Sequence, residues 1–362
     1  MATLADVHDG LEGVLAFATE IAEPDRDGGS LRYRGIDVQQ LVGAVPFELV
    51  WGLLVDNRLD EPLAPATPHE LPLRSGDTRV DLQIAIAALA AEWQLAPLVD
   101  LTVAEARTQL ARISAQAIEC VAQSARGGAA PVPEWVVAEG ETLAERFLLR
   151  WRGEADRQQA MALDAYWITA AEHGMNASTF TARVIASTGA DAAAALSGAV
   201  GALSGPLHGG APARVLQMLD AVECSGDPDA YVEELLNRGE RIMGFGHRIY
   251  RAEDPRARAL RRIAEQLGSP RLQVAAEVER AALAALAARK PDRTLATNVE
   301  FWSAVILDHA GIPQRLFTPV FACARMAGWS AHILEQRRTG RLVRPAALYV
   351  GERERPLAQA AS

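Results

Sequence analysis

The chain has 362 residues, more than one hydrophobic core usually serves, so about two domains are expected. Its 36 basic and 46 acidic residues give a net charge of −10 with no basic run able to track a phosphate backbone, which argues against nucleic acid as a partner. Hydrophobic residues at 49% and charged residues at 23% exclude disorder, and the only lysine, Lys290, lies in a polar connector between Arg289 and Pro291, which excludes Schiff-base and P-loop chemistry.

The N-terminus carries no basic region followed by an apolar stretch, and later Ala/Leu-rich segments are broken by charges before about 18 residues, so neither a targeting nor a spanning segment is expected. Gly13 to Thr19 and Leu31 to Arg34 flank an Asp-Arg-Asp-Gly-Gly turn at 25–29 and predict a small hairpin. Beyond it, apolar residues recur every three or four positions in a sequence dominated by Ala, Leu, Glu and Arg. The pattern predicts helices over 37–56, 81–92, 103–125, 136–152, 155–170, 176–188, 191–203, 212–223, 229–241, 255–267, 271–289, 297–310 and 318–337. Leu59 to Asp77, with Pro62, Pro65, Pro68 and Pro72, and the Gly/Pro-rich stretch from Gly127 to Pro133 read as surface connections. No internal repeat is seen, so the fold class is all-α with one minor N-terminal hairpin.

Cys120, Cys224 and Cys323 are far apart and never form a CxxC pair, which points to a reducing, cytoplasmic setting rather than a disulfide framework or a zinc site. Histidine and carboxylate residues never fall at HExxH or comparable spacing, so no metal is expected. Three of the seven histidines, His173, His208 and His247, lie in Gly- or Asn-bearing turns between helices, where side chains face a cleft. His309 and His332 fall within helical patterns and read as surface or satisfied core imidazoles.

His208 sits in Ser204-Gly-Pro-Leu-His-Gly-Gly-Ala-Pro212, a turn that starts a helix at Pro212. An imidazole beside a helix N-terminus meets the positive end of the dipole, stays neutral and donates one hydrogen bond, as an enol or enolate oxygen requires; a plain helix cap is the alternative. His247 lies in Met243-Gly-Phe-Gly-His-Arg-Ile-Tyr-Arg251, where Arg248, Arg251 and Arg256 follow two glycines and suggest an anion-binding loop, with a solvated basic face as the alternative. No GxGxxG follows a strand, so a dinucleotide fold is rejected. Abstraction of a proton beside a carbonyl also needs a base, and Glu300 in Thr297-Asn-Val-Glu-Phe-Trp302 is the candidate, at the start of an apolar helix that raises its basicity. A lone Glu in the first helical turn is more often a dipole partner than a base, and the constellation is what changes that reading.

Taken together, Gly10-Leu-Glu-Gly-Val, Leu31-Arg-Tyr-Arg-Gly-Ile-Asp, Glu172-His-Gly-Met-Asn-Ala-Ser-Thr, Gly205-Pro-Leu-His-Gly-Gly-Ala, Gly244-Phe-Gly-His-Arg-Ile-Tyr-Arg, Asp254-Pro-Arg and Asn298-Val-Glu resemble the citrate synthase family nearly end to end, in its short dimeric bacterial form. The resemblance implies a two-domain helical fold, a large domain of residues 1–208 with 309–362 and a small domain of 209–308, closing on substrate within a homodimer. It implies condensation of acetyl-CoA with oxaloacetate and water to citrate and CoA, with acetyl-CoA as co-substrate and no separate cofactor, metal, nucleic acid or membrane. By the same resemblance His208, His247 and Glu300 are catalytic; His173, Asn176, His247, Arg256, Arg325 and Arg344 bind oxaloacetate, Arg344 across the dimer; and Gly244, Gly246, Arg251 and Asn298 line the CoA channel. Guanidinium forks suit a dicarboxylate, because they grip it bidentately and keep their charge.

Two departures from the family pattern stand out. Its usual base is an aspartate, and the extra methylene of Glu300 shifts the carboxylate by about 1.5 Å, where a misplacement near 1 Å costs on the order of 100-fold in rate. Asp308 is no substitute, lying about two helical turns further on. The Pro-rich stretch from Leu59 to Asp77 also lacks the expected pattern and reads as surface filler. Propionyl-CoA in place of acetyl-CoA, giving 2-methylcitrate, is an alternative separated by one methylene, about 1–3 kcal/mol. A non-catalytic oxaloacetate- and CoA-binding paralogue is another, against which stands the retention of His208, His247 and the arginines. A citryl-CoA lyase-like reading shares the motifs, and nothing favours it. No additional N-terminal module of the NADH-inhibited hexamers is expected.

Overall fold

The computed structural model describes residues 3–11, 13–25, 29–67, 69–206, 208, 212–246, 250, 253–291 and 295–352. A small antiparallel sheet of β1 (Ala22–Asp25), β2 (Ser30–Tyr33) and β3 (Ile36–Asp37) precedes α1 (Val38–Leu41), α2 (Phe47–Asp56), α3 (Thr78–Glu92), α4 (Val103–Arg126) and α5 (Glu134–Val137). There follow α6 (Leu143–Arg152), α7 (Arg157–Ala170), α8 (Ala177–Ser187), α9 (Ala192–Leu203) and α10 (Pro212–Ser225). The last are α11 (Pro228–Asn237), α12 (Pro255–Gln266), α13 (Leu272–Arg289), α14 (Val299–His309) and α15 (Phe317–Thr339).

Local chemistry sets most of these boundaries. Thr102 and Glu105 close a capping box on α4, and Thr142 and Glu145 close one on α6. The helix expected over 37–56 breaks in two, because Gly43 takes a positive φ of 78° and Pro46 cannot continue a helix. The one expected over 136–152 likewise divides at Gly140 and the Thr142 cap. The hairpin forms, but its first strand is Ala22–Asp25 rather than Gly13–Thr19, paired Ala22 to Tyr33 and Asp25 to Ser30. A strand next to the turn closes a far shorter loop, and the 13–19 stretch is left irregular, with Leu15 96% exposed.

Helix α15 is buried from Phe317 to Gln336 and packs against α2, α4, α7, α8 and α9. Helices α10 to α14 pack on one another, and α12 and α14 also rest on α7. The Pro-rich stretch is more than filler: Leu63 is buried, its N–H donates to Glu48 O at 2.9 Å, and Gly52 of α2 has no room for a Cβ beneath Glu61 O. Among the described residues no helix is long and apolar enough to cross a membrane.

Helices α12 and α14 begin at one point. Asp254 caps α12, accepting from Arg256 N at 3.0 Å, and its other oxygen accepts from Val299 N at the start of α14 at 3.1 Å. The same carboxylate grips Arg256 through Nε at 3.0 Å and Nη2 at 2.7 Å, both side chains being buried. Removing one partner of a buried pair leaves an uncompensated charge, so Asp254→Ala is expected to cost about 3–5 kcal/mol in chemical denaturation; a loss below about 1 kcal/mol, the worth of a surface pair, would contradict this arrangement.

Candidate active site

His208 follows α9 in a tight turn, its N–H donating to Gly205 O at 2.9 Å. Its Nε2 lies 2.9 Å from Ser178 Oγ and 3.4 Å from the Ser178 backbone N–H. A backbone N–H only donates, so Nε2 carries the lone pair and the single proton of the neutral ring resides on Nδ1. Burial, and then the Arg325 charge, lower the His208 pKa from 6.5 to about 4. The helix start that meets the ring through a backbone N–H is that of α8, which supplies Ser178 N–H. Ser178 was not singled out by the sequence, though it lies two residues past the Asn176 cap. It is held in turn by Trp329 Nε1, which donates to its hydroxyl at 3.2 Å, while the one hydroxyl proton is shared between His208 Nε2 and Asn176 Oδ1, the latter at 2.8 Å. The Asn176 amide also accepts from Thr179 N at 3.1 Å and donates to Gly174 O at 3.2 Å, so Asn176 builds the turn that presents His173 and Ser178.

Glu300 stands in the first turn of α14, and burial raises its pKa, opposed by Arg256 and reinforced by Asp254. Asn298 caps this helix by accepting from Glu300 N at 3.0 Å and donates to Gly246 O at 2.9 Å. Its amide thereby ties the loop of Gly244 and Gly246 to Glu300. Phe245 and Thr297 form an antiparallel bridge here, with Gly246 N to Ala296 O at 2.7 Å and Asn298 N to Gly244 O at 2.9 Å. Gly244 has φ 88°, and a Cβ on it would meet Phe301 Cβ at 2.8 Å, so only glycine allows this close approach. His247 and Arg251, expected on this loop, lie outside the described residues.

His173, 8% exposed, pairs through Nε2 with Tyr250 Oη at 3.0 Å, and the two rings meet edge to face. The preceding turn is latched by Tyr33 on β2, whose hydroxyl accepts from Glu172 N at 3.2 Å and lies 3.0 Å from the carbonyls of Ile168 and Glu172. Burial works against the charge of Arg256, but Asp254 more than offsets it and the pKa is raised. Arg325 is also buried, and its pKa is lowered by that burial; Nε donates to Ala170 O at 2.8 Å, while Nη1 has no hydrogen-bond partner. A buried guanidinium edge of this kind keeps a charged donor whose desolvation is not offset by a hydrogen bond.

These groups act on one another: His208 on the field of Arg325, Arg325 beside Arg256, and Arg256 beside Glu300. Arg344 is not joined to them; it is exposed on the extended segment after α15, and no hydrogen bond or ion pair among the described residues links it to the set. Asp308 is engaged by Arg271 Nε at 3.0 Å. Two open cavities of about 470 and 250 Å³ lie elsewhere, the larger between Gly43 to Pro46, α6, α7 and α12, and no candidate site residue lines either. The arrangement offers a neutral hydrogen-bond donor, a carboxylate of raised basicity and two buried guanidinium groups.

The folded chain keeps His208 neutral down to about 4, whereas the unfolded chain protonates it near 6.5, so His208 opposes folding increasingly as pH falls from 6.5 to 4 and not above. In NMR of ring-labelled protein its signal is expected to stay that of the neutral Nδ1–H tautomer through neutral pH. A midpoint near 6.5 would contradict the assigned environment.

A family model described as citrate synthase, C-terminal domain, matches residues 10–346. A Mycobacterium tuberculosis protein named "Putative citrate synthase 2" is 61% identical over 344 residues, 94% of this chain and 92% of its own. The citrate synthase of Haloferax volcanii is 36% identical over 371 residues, 95% and 96% of the two chains. Among solved structures, the ternary complex of carboxymethyl coenzyme A and oxaloacetate with citrate synthase from Thermoplasma acidophilum superposes with a TM-score of 0.81 at 27% identity, covering 98% of this chain and 99% of that one. Citrate synthase from Pyrobaculum aerophilum gives 0.79 at 28% identity over 99% and 97% of the chains. With sequence, fold and motif order in agreement, the chain belongs to the citrate synthase family.

Proposed function

We propose that this protein condenses acetyl-CoA with oxaloacetate and water to give citrate and CoA. The observation that carries the reading is His208, a neutral imidazole with Nε2 held by Ser178 and its proton on Nδ1. Nδ1–H donates to the thioester carbonyl oxygen while Glu300 takes a proton from the methyl carbon, and the enol that results needs no full negative charge. The enol carbon attacks the ketone carbon of oxaloacetate and the ketone oxygen takes a proton, the role assigned to His247. Water then cleaves the thioester and releases CoA. Arg256 and Arg325 grip the oxaloacetate carboxylates beside His173, with Asn176 ordering the turn and Arg344 coming from a second copy. Gly244, Gly246, Asn298 and Arg251 line the channel for CoA, which serves as co-substrate; no cofactor has a step in this scheme.

A dimer accounts for the arm that carries Arg344, since Leu342, Tyr349 and Val350 on it are 58%, 73% and 74% exposed. Residues 209–308 close as a small domain on 1–208 and 309–362, which brings Glu300 and His247 onto His208. The unpaired cysteines fit a cytoplasmic setting.

Release of CoA from acetyl-CoA and oxaloacetate, followed with a thiol reagent, tests the reading, with propionyl-CoA as the competing substrate. Glu300→Gln is expected to lower kcat on the order of 100-fold or more with folding intact; unchanged turnover would remove Glu300 from the chemistry. The base works deprotonated, so activity should fall as pH drops through a midpoint above the ordinary 4.5 of glutamate, and a midpoint at or below that value would contradict its buried setting.

A further inference from the structure

One polar face of α15 runs on beyond the site. Arg325, Gly328, His332, Glu335 and Gln336 recur at helical spacing and are buried. At its site end Arg325 Nη1 lacks a hydrogen-bond partner, and so do both carboxylate oxygens of Glu172, a fully buried residue. Glu172 is nevertheless the carboxylate that most favours the charge of Arg325. A buried guanidinium and a buried carboxylate within electrostatic reach ordinarily close into a bidentate pair. These two do not.

His332 supplies the reason. Its Nδ1 lies 2.9 Å from Arg183 Nη1, and because a guanidinium only donates, Nδ1 accepts and the ring proton is on Nε2. Nε2 faces Glu172 Oε1 at 3.3 Å, an electrostatic contact outside hydrogen-bond geometry. Arg183 is itself fixed, with Nη1 to Glu335 Oε2 at 2.6 Å and Nε to Gln336 Oε1 at 3.1 Å. Glu335 is anchored by Thr19 Oγ1 at 3.2 Å and Glu20 N at 3.0 Å. Gly328 leaves space for the carboxylate, since a Cβ there would overlap Glu172 Oε2.

We propose that His332 is a positioning residue that holds the Glu172 carboxylate away from Arg325, so that Glu172 and a substrate carboxylate compete for one guanidinium edge. The inference rests on the reading of Arg325 as an oxaloacetate ligand, and it fixes two opposite signs. Glu172→Gln removes the competitor and lowers KM for oxaloacetate, on the order of 10-fold. His332→Leu releases the carboxylate onto Nη1 and raises that KM by a similar factor, because only the fraction of molecules with a free edge binds. The double variant returns to the value of Glu172→Gln, and a purely structural role would not produce that reversal.

In steady-state assays of the full-length protein, kcat and KM for acetyl-CoA are expected to stay within about two-fold in all three variants. If Glu172→Gln does not fold, His332→Gln is compared with His332→Leu: the amide still offers an N–H to Glu172, so KM should rise in the leucine variant alone, and an equal rise in both overturns the proposal. Shifts of the same sign in Glu172→Gln and His332→Leu also overturn it. A wild-type protein whose turnover ignores oxaloacetate instead overturns the reading of the site on which the proposal rests.

Discussion

One buried carboxylate makes the positively charged side of this candidate site possible. Two helix N-termini, those of α12 and α14, and the guanidinium of Arg256 meet at Asp254, and all three are positive. Without a central anion they would repel one another in a region from which water is excluded. Asp254 satisfies backbone donors of both helices while gripping Arg256 on two nitrogens, so the Arg256 guanidinium and the helix that bears Glu300 form one unit. Asn298 extends the unit to the Gly244–Gly246 loop through its bond to Gly246 O. A helix start, the Glu300 carboxylate, a guanidinium and a glycine loop therefore have one geometry among them.

Burial then tunes each group in the direction its proposed role requires. It lowers the pKa of His208, which stays neutral, and raises that of Glu300, which becomes the stronger base. The same burial would be ruinous for Arg256 and Arg325 without compensation. Arg256 finds its compensation in Asp254, while Arg325 has Glu172 near it but not on it. A carboxylate arriving at Arg325 thus finds a charged, desolvated edge with no bond to break.

The sequence was most legible where chemistry is local. The Thr102 capping box and the Asp254-Pro255 start announce helices that begin where expected, whereas the Thr142 capping box starts a helix inside the single one expected over 136–152. The hairpin strand was misplaced because alternation in 13–19 says nothing about the cost of closing a long loop. Seven motifs in order identify the family, and the candidate site groups His173, His208, Arg256 and Glu300 lie within them, while Arg325 stands apart on α15 and came from the resemblance alone. What single-sequence reading missed is the supporting layer. Ser178 and Trp329 are 151 positions apart, and Arg183 and His332 are 149 apart, so no spacing rule joins them. His332, read as a surface or satisfied core imidazole, is a core one, fully buried with Nδ1 on Arg183. For Asp254 a usable sign was present, a capping aspartate followed by proline and the very arginine it holds.

The departure at Glu300 bears most on whether the site works as proposed, since one added methylene must be absorbed by the backbone that Asp254 and Asn298 fix. A crystal structure with oxaloacetate and carboxymethyl-CoA measures this directly. Oxaloacetate carboxylates on Arg256 and Arg325, with Glu300 within about 3 Å of the carboxymethyl group that stands in for the acetyl enol, are the predicted result. Glu300 turned away, or oxaloacetate bound without Arg256, would contradict the account.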